Sequence, residues 1–136
     1  MPVGKSNSKQ QNNRTLKVRF FIGENMENIE LETVRGDDDG WSFELLEDDE
    51  SQSDLTGSRF DMWIKPKKGE LIKLSTQTGE ITVNQNIVTV TISHDKTQGA
   101  KWEFATWDLQ CTSQQGLVQT LAGGGFTLIH DVTEAE

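Results

Sequence analysis

Apolar and polar residues alternate along most of this chain with a period of two, which is the pattern of β-strands that bury one face. Between Trp41 and Leu45, for example, Trp41, Phe43 and Leu45 fall on one face and polar residues fall on the other. The segments with this alternation, or with a run of β-branched residues, are Thr15–Phe20, Asn28–Val34, Trp41–Leu45, Phe60–Lys65, Leu71–Leu74, Gly79–Val83, Ile87–Ile92, Lys101–Gln110, Leu117–Leu121 and Phe126–Val132.

Turn-forming residues separate these segments at short intervals. Gly36–Gly40 and Asn84–Asn86 are turn sequences, and Pro66 followed by Lys67–Gly69 ends another strand. Short strands with turns between them predict an all-β fold, an antiparallel sandwich or barrel. Since no window carries a clean apolar period of about 3.6 residues, we expect no helix beyond one short helical turn near Thr97.

The composition allows one domain with a real core. The chain has 136 residues, and although its hydrophobic content is 33%, this includes four Trp and six Phe. Large aromatic side chains can supply much of the buried area. Residues 1–14 are polar and offer nothing to bury, so we predict a flexible arm at 1–14 and a single β-domain at 15–136.

Charge is distributed unevenly between these two parts. Lys5, Lys9 and Arg14 give residues 1–14 a charge of +3 without any acid, and because the whole chain carries −9, residues 15–136 carry −12. An acidic body argues against nucleic acid as a partner, because phosphate binding needs clustered Lys and Arg. It also argues against binding to an anionic membrane surface.

Cys111 is the only cysteine of the chain, so no intrachain disulfide can form. This usage predicts folding in a reducing cytoplasm. We also expect no membrane span and no secretory signal, because no apolar run approaches about 20 residues and the N-terminal residues lack an apolar stretch.

The residues that could carry catalysis are not arranged for it. His94 and His130 are each followed by Asp, but neighbouring residues of a strand point to opposite faces, and two His without a second Cys fall short of a zinc site. Gly123–Gly125 precedes Phe126 rather than a helix or a Lys-Ser/Thr pair, so a turn or bulge is favoured over a phosphate loop. We therefore expect no catalytic residue, no cofactor and no metal ion.

Two acidic runs raise the question of calcium. Asp37–Asp39 and Glu47–Glu50 offer the oxygen ligands that calcium takes, but neither has the ligand spacing of a calcium loop. The second run belongs to Glu47–Asp54, which we predict to be an exposed loop. Whether an acidic loop binds an ion stays open at this point.

Aromatic residues near the centre of the second half are candidates for partner binding. Trp102 and Phe104 share one face of the predicted strand, and Trp107 is out of register with them. Large groups on both faces of one strand would mark an interface. The candidate partner-binding residues are therefore Trp102 and Trp107 of the domain and Lys5, Lys9 and Arg14 of the arm.

An ordered series of motifs resembles the β-rich modules of tailed-bacteriophage structural proteins, such as the module at the N-terminal end of baseplate upper proteins. The series is Val34–Asp38 before Trp41–Phe43, then Asp54–Gly57, Phe60–Lys65, Leu74–Thr76 with Gly79–Ile81, Trp107–Gln110, Gly116–Leu121 and Gly125–Thr133. It spans roughly residues 30–133. Trp107 in place of the usual Tyr, and a longer glycine run at Gly123–Gly125, depart from the family pattern.

The resemblance implies an immunoglobulin-like β-sandwich, assembly in a bacterial cytoplasm, and many copies bound to other virion proteins in a symmetric particle. It transfers no catalytic residues. The leading hypothesis is a non-enzymatic virion protein of a tailed phage, an adaptor at the tail, baseplate or neck whose basic arm orders on an acidic neighbour. The alternatives are a capsid decoration protein on the head, a carbohydrate-binding module that uses Trp63 and Trp102, and a metal-dependent hydrolase of host glycans that uses paired carboxylates.

Overall fold

The computed structural model describes residues 26–133 in full and the backbone of residues 18–21. The predicted arm, residues 1–14, lies outside the described residues. No helix within the described part of the chain is long and apolar enough to span a membrane. The elements are β1 (Val18–Phe21), β2 (Glu27–Asn28), β3 (Leu31–Val34), β4 (Asp39–Leu46), β5 (Arg59–Pro66), β6 (Ile72–Ser75), β7 (Ile81–Asn84), β8 (Ile87–Ile92), a 3-10 helical turn (His94–Lys96), β9 (Phe104–Thr112) and β10 (Val118–Ile129).

The strands form two sheets packed as a sandwich. The four-stranded sheet has the order β1-β4-β8-β7, and the six-stranded sheet has the order β2-β10-β9-β5-β6, with β3 also paired to β10. Pairing is antiparallel through the middle of both sheets. At the edges β1 pairs with β4, and β2 and β3 pair with β10, in the parallel sense. The predicted antiparallel sandwich is confirmed, with parallel strands added at its edges.

The core lies between the two sheets and is built around aromatic side chains. Trp41 and Phe43 enter from β4, and Trp107 and Phe126 enter from β9 and β10. Phe43 stacks on Trp107 with 6.2 Å between ring centroids, and Trp41 meets Phe126 edge-on at 5.7 Å. These contacts join the two sheets, so the few large rings supply the buried area that the low apolar content requires.

The turns follow the sequence pattern closely. The predicted helical turn near Thr97 is confirmed at His94–Lys96, and β8 has the predicted bounds. Gln85 has a φ of 58° in the β7–β8 hairpin, a left-handed conformation that a tight turn requires. Glu47–Asp54 is a loop, and apart from Ser53 its side chains are exposed.

The glycine run differs from the prediction of a turn or bulge before the last strand. Gly123–Gly125 lies inside β10, which continues from Val118 to Ile129. The reason is a close approach of the neighbouring edge segment: a Cβ on Gly124 would lie 2.3 Å from the carbonyl oxygen of Ile29. The glycines therefore make room for the chain between β2 and β3.

A candidate binding face on the six-stranded sheet

The side of the six-stranded sheet that faces away from the core carries a mixture of aromatic, charged and amide side chains. Because side chains alternate along a strand, Arg59, Asp61, Trp63 and Lys65 of β5 point to this side while their neighbours enter the core. We call this surface the outer face. Side chains from β5, β6 and β9 line a groove of about 760 Å³ on it. The groove residues are Arg59, Asp61, Trp63, Lys73, Ser75, Gln77, Thr78, Asp108, Gln110 and Thr112.

Trp63 lies at the centre of the outer face and is 45% exposed. The strand register places it between Lys73 of β6 and Asp108 of β9. The Lys73 ammonium sits over the indole at 4.6 Å from the ring centroid, a cation–π contact. Trp63 is therefore held in place by a charged neighbour while much of its surface remains accessible.

Asp108 is the second notable residue of this face. Partial burial raises the pKa of its carboxyl group, since desolvation disfavours the ionised form. Its strand partner on the other side is Gly123, and the sulfur of Met26 lies close above that glycine. Among the described residues none donates a hydrogen bond to Asp108, so the carboxylate is available to a donor from outside the chain.

The polar residues at one end of the groove form fixed pairs. Arg59 donates to both carboxylate oxygens of Asp61, at 2.9 and 3.2 Å. Gln110 donates to the Thr120 hydroxyl at 3.4 Å. These pairs make the end of the groove near Arg59 polar, next to the accessible ring of Trp63.

Apolar side chains are exposed on the same face beyond the groove. Phe104 is 67% exposed at the start of β9, and Ile129 on the neighbouring strand is exposed close to it. Val118 and Met26 are also exposed on this side. An accumulation of exposed apolar groups with polar residues between them is typical of a protein-binding surface.

The opposite surface of the sandwich is different. On the four-stranded sheet Ser42 and Thr89 pair through their hydroxyl groups at 3.0 Å, and Thr82 lies beside Thr89 in the register. Hydroxyl pairs of this kind satisfy each other within the sheet. The contrast favours the outer face of the six-stranded sheet as the functional one.

The aromatic candidates from the sequence occupy separate places. Trp107 is 3% exposed and belongs to the core, where its indole nitrogen donates to the carbonyl oxygen of Ile29 at 3.0 Å. Trp107 and Phe104 lie on opposite faces of β9, so Trp107 points into the sandwich and offers no surface to a partner. Trp102 is partly exposed and packs on Phe126, with 6.1 Å between centroids. Lys5, Lys9 and Arg14 lie outside the described residues.

The histidines and the cysteine make local contacts. Asp38 accepts hydrogen bonds from the backbone and the ring of His94, at 2.6 and 3.0 Å, and the backbone bond is the main cause of the lowered pKa of Asp38. His130 contacts the carbonyl oxygen of Trp102 at 2.8 Å. Burial raises the pKa of the Cys111 thiol, which makes it a poor nucleophile. Within residues 26–133 no group of three His, Cys, Asp or Glu side chains is placed to hold a metal ion.

The sequence pattern names Trp63 only for the carbohydrate-binding alternative and does not single out Asp108, although a signal for the exposure of Trp63 is present. In Phe60–Lys65 the apolar positions Phe60, Met62 and Ile64 define the buried phase, and Trp63 stands in the polar phase with Asp61. A tryptophan in the polar phase of a strand predicts an exposed ring. No comparable signal identifies Asp108, because its partial burial arises from strands distant in sequence.

Comparison with known proteins gives a likeness to solved structures. No protein-family model matches the sequence, and no curated protein matches it either. Among solved structures, the N-terminal domain of phage TP901-1 ORF48 superposes with a TM-score of 0.51 at 6% sequence identity, over 85% of this chain and 98% of that domain. At this identity the likeness concerns the fold. The chain therefore has the fold of a phage protein domain, over most of its length.

Proposed function

We propose that this chain is a non-enzymatic structural protein of a tailed-phage particle, an adaptor at the tail, baseplate or neck that acts through protein–protein contacts. The fold shared with a phage protein domain supports a role in the particle. The outer face supports the mode of action, since it carries exposed apolar groups beyond the groove, an accessible Trp63, and an Asp108 to which none of the described residues donates a hydrogen bond.

Asp108 is the observation that carries the binding proposal. A carboxyl group whose pKa is raised by burial lowers the stability of the folded chain at neutral pH. A partly desolvated carboxyl group on an accessible face is a candidate for a functional site. Beside the ring of Trp63, Asp108 offers an Arg or Lys of a partner both a carboxylate and an aromatic surface, a combination found at energetically important interface positions.

The basic arm supplies a second contact in this proposal. Lys5, Lys9 and Arg14 bind an acidic surface on a neighbouring subunit, while residues 15–136 form the single domain that presents the outer face. Trp102 adds a partly exposed ring that packs on Phe126. The protein is synthesised and assembled in the host cytoplasm and is present in many copies.

A protein inventory of purified particles, made by mass spectrometry on the phage that encodes the chain, tests the particle role. We expect the chain in stoichiometric amount, and density at the tail or baseplate. Its absence from the particles would contradict the proposal, and density on the head would replace the adaptor with a capsid decoration protein. Deleting residues 1–14 should reduce incorporation while leaving the thermal unfolding of the domain unchanged.

The binding face is tested by paired variants in the same phage. Trp63→Ala with Asp108→Ala should abolish incorporation, whereas Thr82→Ala with Glu44→Ala on the opposite sheet should not. Equal incorporation of both pairs would show that the outer face is not the contact. A glycan array that compares the wild type with the Trp63→Ala variant separates protein binding from carbohydrate binding. A sugar could stack on only one side of the Trp63 ring, because Lys73 covers the other side.

A further inference from the structure

The strand β7 forms one edge of the four-stranded sheet, which has the order β1-β4-β8-β7. It spans Ile81–Asn84 and pairs with β8 in the antiparallel sense. After Ile81, which enters the core, its side chains are exposed. Within the described part of the chain no strand pairs with the other side of β7. This side is therefore an open edge of the sheet.

The hydrogen bonds of β7 show which backbone groups point to the open side. In an antiparallel pair, opposite residues alternate between positions that exchange hydrogen bonds and positions that do not. The Thr91 amide donates to the carbonyl oxygen of Glu80 at 2.8 Å, so this pair is of the bonded kind. By alternation Thr82 also bonds to β8, whereas the amides and carbonyls of Ile81 and Val83 point away from it. The open side therefore presents two donors and two acceptors.

The pairing of β8 with its other neighbour, β4, leads to the same assignment. The Leu45 amide of β4 donates to the carbonyl oxygen of Asn86 at 2.9 Å. Alternation from this pair directs the backbone groups of Val88 to β4. Those of the next residue, Thr89, are then directed to Thr82 of β7, which lies opposite it. Both neighbours of β8 thus place the backbone groups of Thr82 inside the sheet.

The edge strand of the other sheet, β6, is protected where β7 is not. The amide of Ser75 in β6 donates to the Glu80 carboxylate at 3.2 Å, and the carbonyl of Ser75 accepts from the Thr78 hydroxyl at 3.5 Å. β6 also carries Lys73, and lysine is a residue type that discourages strand addition at an edge. β7 contains no charged residue and no proline, and its pairing with β8 has no register shift. It therefore lacks the charge, the proline and the bulge with which natural edges avoid further pairing.

We propose that two copies of this chain pair edge to edge through β7, as antiparallel strands related by a two-fold axis at Thr82. In this register Ile81 lies opposite Val83 of the second copy, and Val83 lies opposite its Ile81. Each of these two pairs exchanges two hydrogen bonds through the outward amides and carbonyls. The two sheets of four strands then join into one continuous sheet. The contact is isologous, because both copies use the same surface, and it is a case of β-strand addition.

The occupant is a second copy because β7 is complementary to itself in this register. An axis at Ile81 would place one of the bonding pairs at Gly79, and an axis at Val83 would place one at Gln85. Both of these residues have positive φ, 92° and 58°, and lie in turns. The axis at Thr82 keeps both bonding pairs within the strand. The outward backbone groups of β7 are thus matched by those of an identical strand.

The side chains of β7 are also compatible with its own copy. Glu80 falls opposite Asn84 of the second copy, and the two Thr82 side chains meet on the axis, so no like charges face each other across the strand pair. Thr82 lies beside Thr89, whose hydroxyl is 3.0 Å from that of Ser42. The row of hydroxyl side chains continues across the axis into the second copy. Cross-strand threonine pairs of this kind stabilise a sheet.

A symmetric disulfide tests the register in the full-length chain. Opposite residues at a non-bonded antiparallel position have Cα atoms about 4.5 Å apart, which a disulfide can span. Thr82→Cys in a Cys111→Ser background should therefore form a covalent dimer under mild oxidation. The matched control is Asn84→Cys in the same background, because its two copies lie about 14 Å apart along the strands and should stay uncoupled. Equal dimer yields from the two variants, or no dimer from Thr82→Cys, would overturn the proposal.

Charge placed on the two-fold axis tests the contact in solution. Thr82→Lys and Thr82→Glu each bring like charges together, so in sedimentation velocity each should associate at least about tenfold more weakly than the wild type, a change of about 1.4 kcal/mol. An equimolar mixture of the two should recover association. Thr106→Lys makes the same change at an exposed position of β9 and should associate like the wild type. So should Thr82→Ala, because the bonds across the axis are made by the backbone.

Thermal unfolding checks that each of these variants is folded. Charged Thr82 variants that associate as well as the wild type would contradict the contact, and so would a mixture that stays monomeric. A loss of association in Thr106→Lys as large as that in Thr82→Lys would show that net charge, rather than the position on the axis, determines the result.

Salt dependence separates this contact from one made by the basic arm. Each copy carries a net charge of −9, so two copies repel each other. Raising the ionic strength from about 0.01 M to about 1 M shortens the range of this repulsion from about 30 Å to about 3 Å, and association through β7 should become stronger. Association through the arm would become weaker instead, and that result would overturn the proposal, as would a wild type that stays monomeric at about 1 M.

Amide exchange locates the contact in the wild type. The amides of Ile81 and Val83 should exchange more slowly with deuterium as the protein concentration rises, because each gains a hydrogen bond in the dimer. In Thr82→Lys the exchange of these two amides should not depend on concentration. Exchange at Ile81 and Val83 that is independent of concentration in the wild type would contradict pairing through β7.

Discussion

The indole nitrogen of Trp107 donates a hydrogen bond to the carbonyl oxygen of Ile29 at 3.0 Å. This bond ties the central strand β9 to the edge segment between β2 and β3. The backbone of Ile29 is held from the other side too, because its amide donates to the carbonyl oxygen of Gly123 at 2.9 Å. The edge segment is thus fixed by a core side chain and by β10 together.

Trp107→Phe should lower the free energy of unfolding by about 2 kcal/mol, because it removes a hydrogen bond and leaves a gap in the core. Denaturant unfolding followed by fluorescence or circular dichroism measures it. Trp102→Phe is the matched control, since it keeps an aromatic ring beside Phe126, and its effect should be smaller. Equal effects of the two variants would show that the bond to Ile29 contributes little.

Two adjacent glycines of β10 should respond differently to alanine. A Cβ on Gly124 would meet the backbone of Ile29 at 2.3 Å, and Gly124 has a φ of 154°. Gly124→Ala should therefore cost about 3 kcal/mol or more through strain and overlap. A Cβ on Gly125 would meet the end of the flexible Glu30 side chain, which can move. Gly125→Ala should cost no more than about 1 kcal/mol, and a similar loss at both positions in denaturant unfolding would contradict this account.

Asp108→Asn should raise the melting temperature at pH 7. The folded-state pKa of Asp108 is raised by burial above the ordinary value of 3.8, so the ionised group destabilises the fold at any pH above that raised pKa. As the pH falls through the raised pKa towards 3.8, the wild type protonates and the advantage of the variant disappears. Melting curves of both proteins between acidic and neutral pH measure the difference in melting temperature. If the ionised carboxylate instead stabilised the fold, the variant would melt below the wild type at pH 7.

Asp131 should show the opposite pH dependence. The Arg35 guanidinium donates to its carboxylate at 2.8 Å, and this bond is the main cause of the lowered pKa of Asp131. A lowered folded-state pKa contributes stability that is present above 3.8 and is lost as the pH falls through the lowered value. Asp131→Asn should thus melt below the wild type at pH 7 and together with it in strong acid. If the difference in melting temperature persisted in strong acid, the effect of the substitution would not come from the ion pair with Arg35.

Alternation alone predicted most of the strands and the sandwich, because a period of two is a local property of the sequence. Ile87–Ile92 and the turn at Gln85 follow directly from it. The parallel edge pairing of β1, β2 and β3 was not predicted, since the choice of neighbour depends on contacts between distant segments. The sequence around Gly123–Gly125 predicts a turn or bulge, because the backbone of Ile29, which requires glycine at Gly124, lies far away in the sequence.

The candidate site was less predictable than the fold. Side chains of a strand point alternately to the two faces of the sheet, so the alternation of apolar and polar residues places Trp107 inside and Trp63 outside. The exposure of both rings can therefore be predicted once the strand is identified. The partial desolvation of Asp108 depends on three-dimensional neighbours that come from distant parts of the sequence.

The break between β2 and β3 has a consequence for crowding. Paired segments of two and four residues, separated at Ile29 and Glu30, cover the β10 side of the six-stranded sheet. An unbroken edge strand offers a continuous row of amide and carbonyl groups to which another chain can add as a further strand. An interrupted edge presents no such template. On this side of the six-stranded sheet, a strand of another chain therefore finds no continuous row of backbone groups with which to pair.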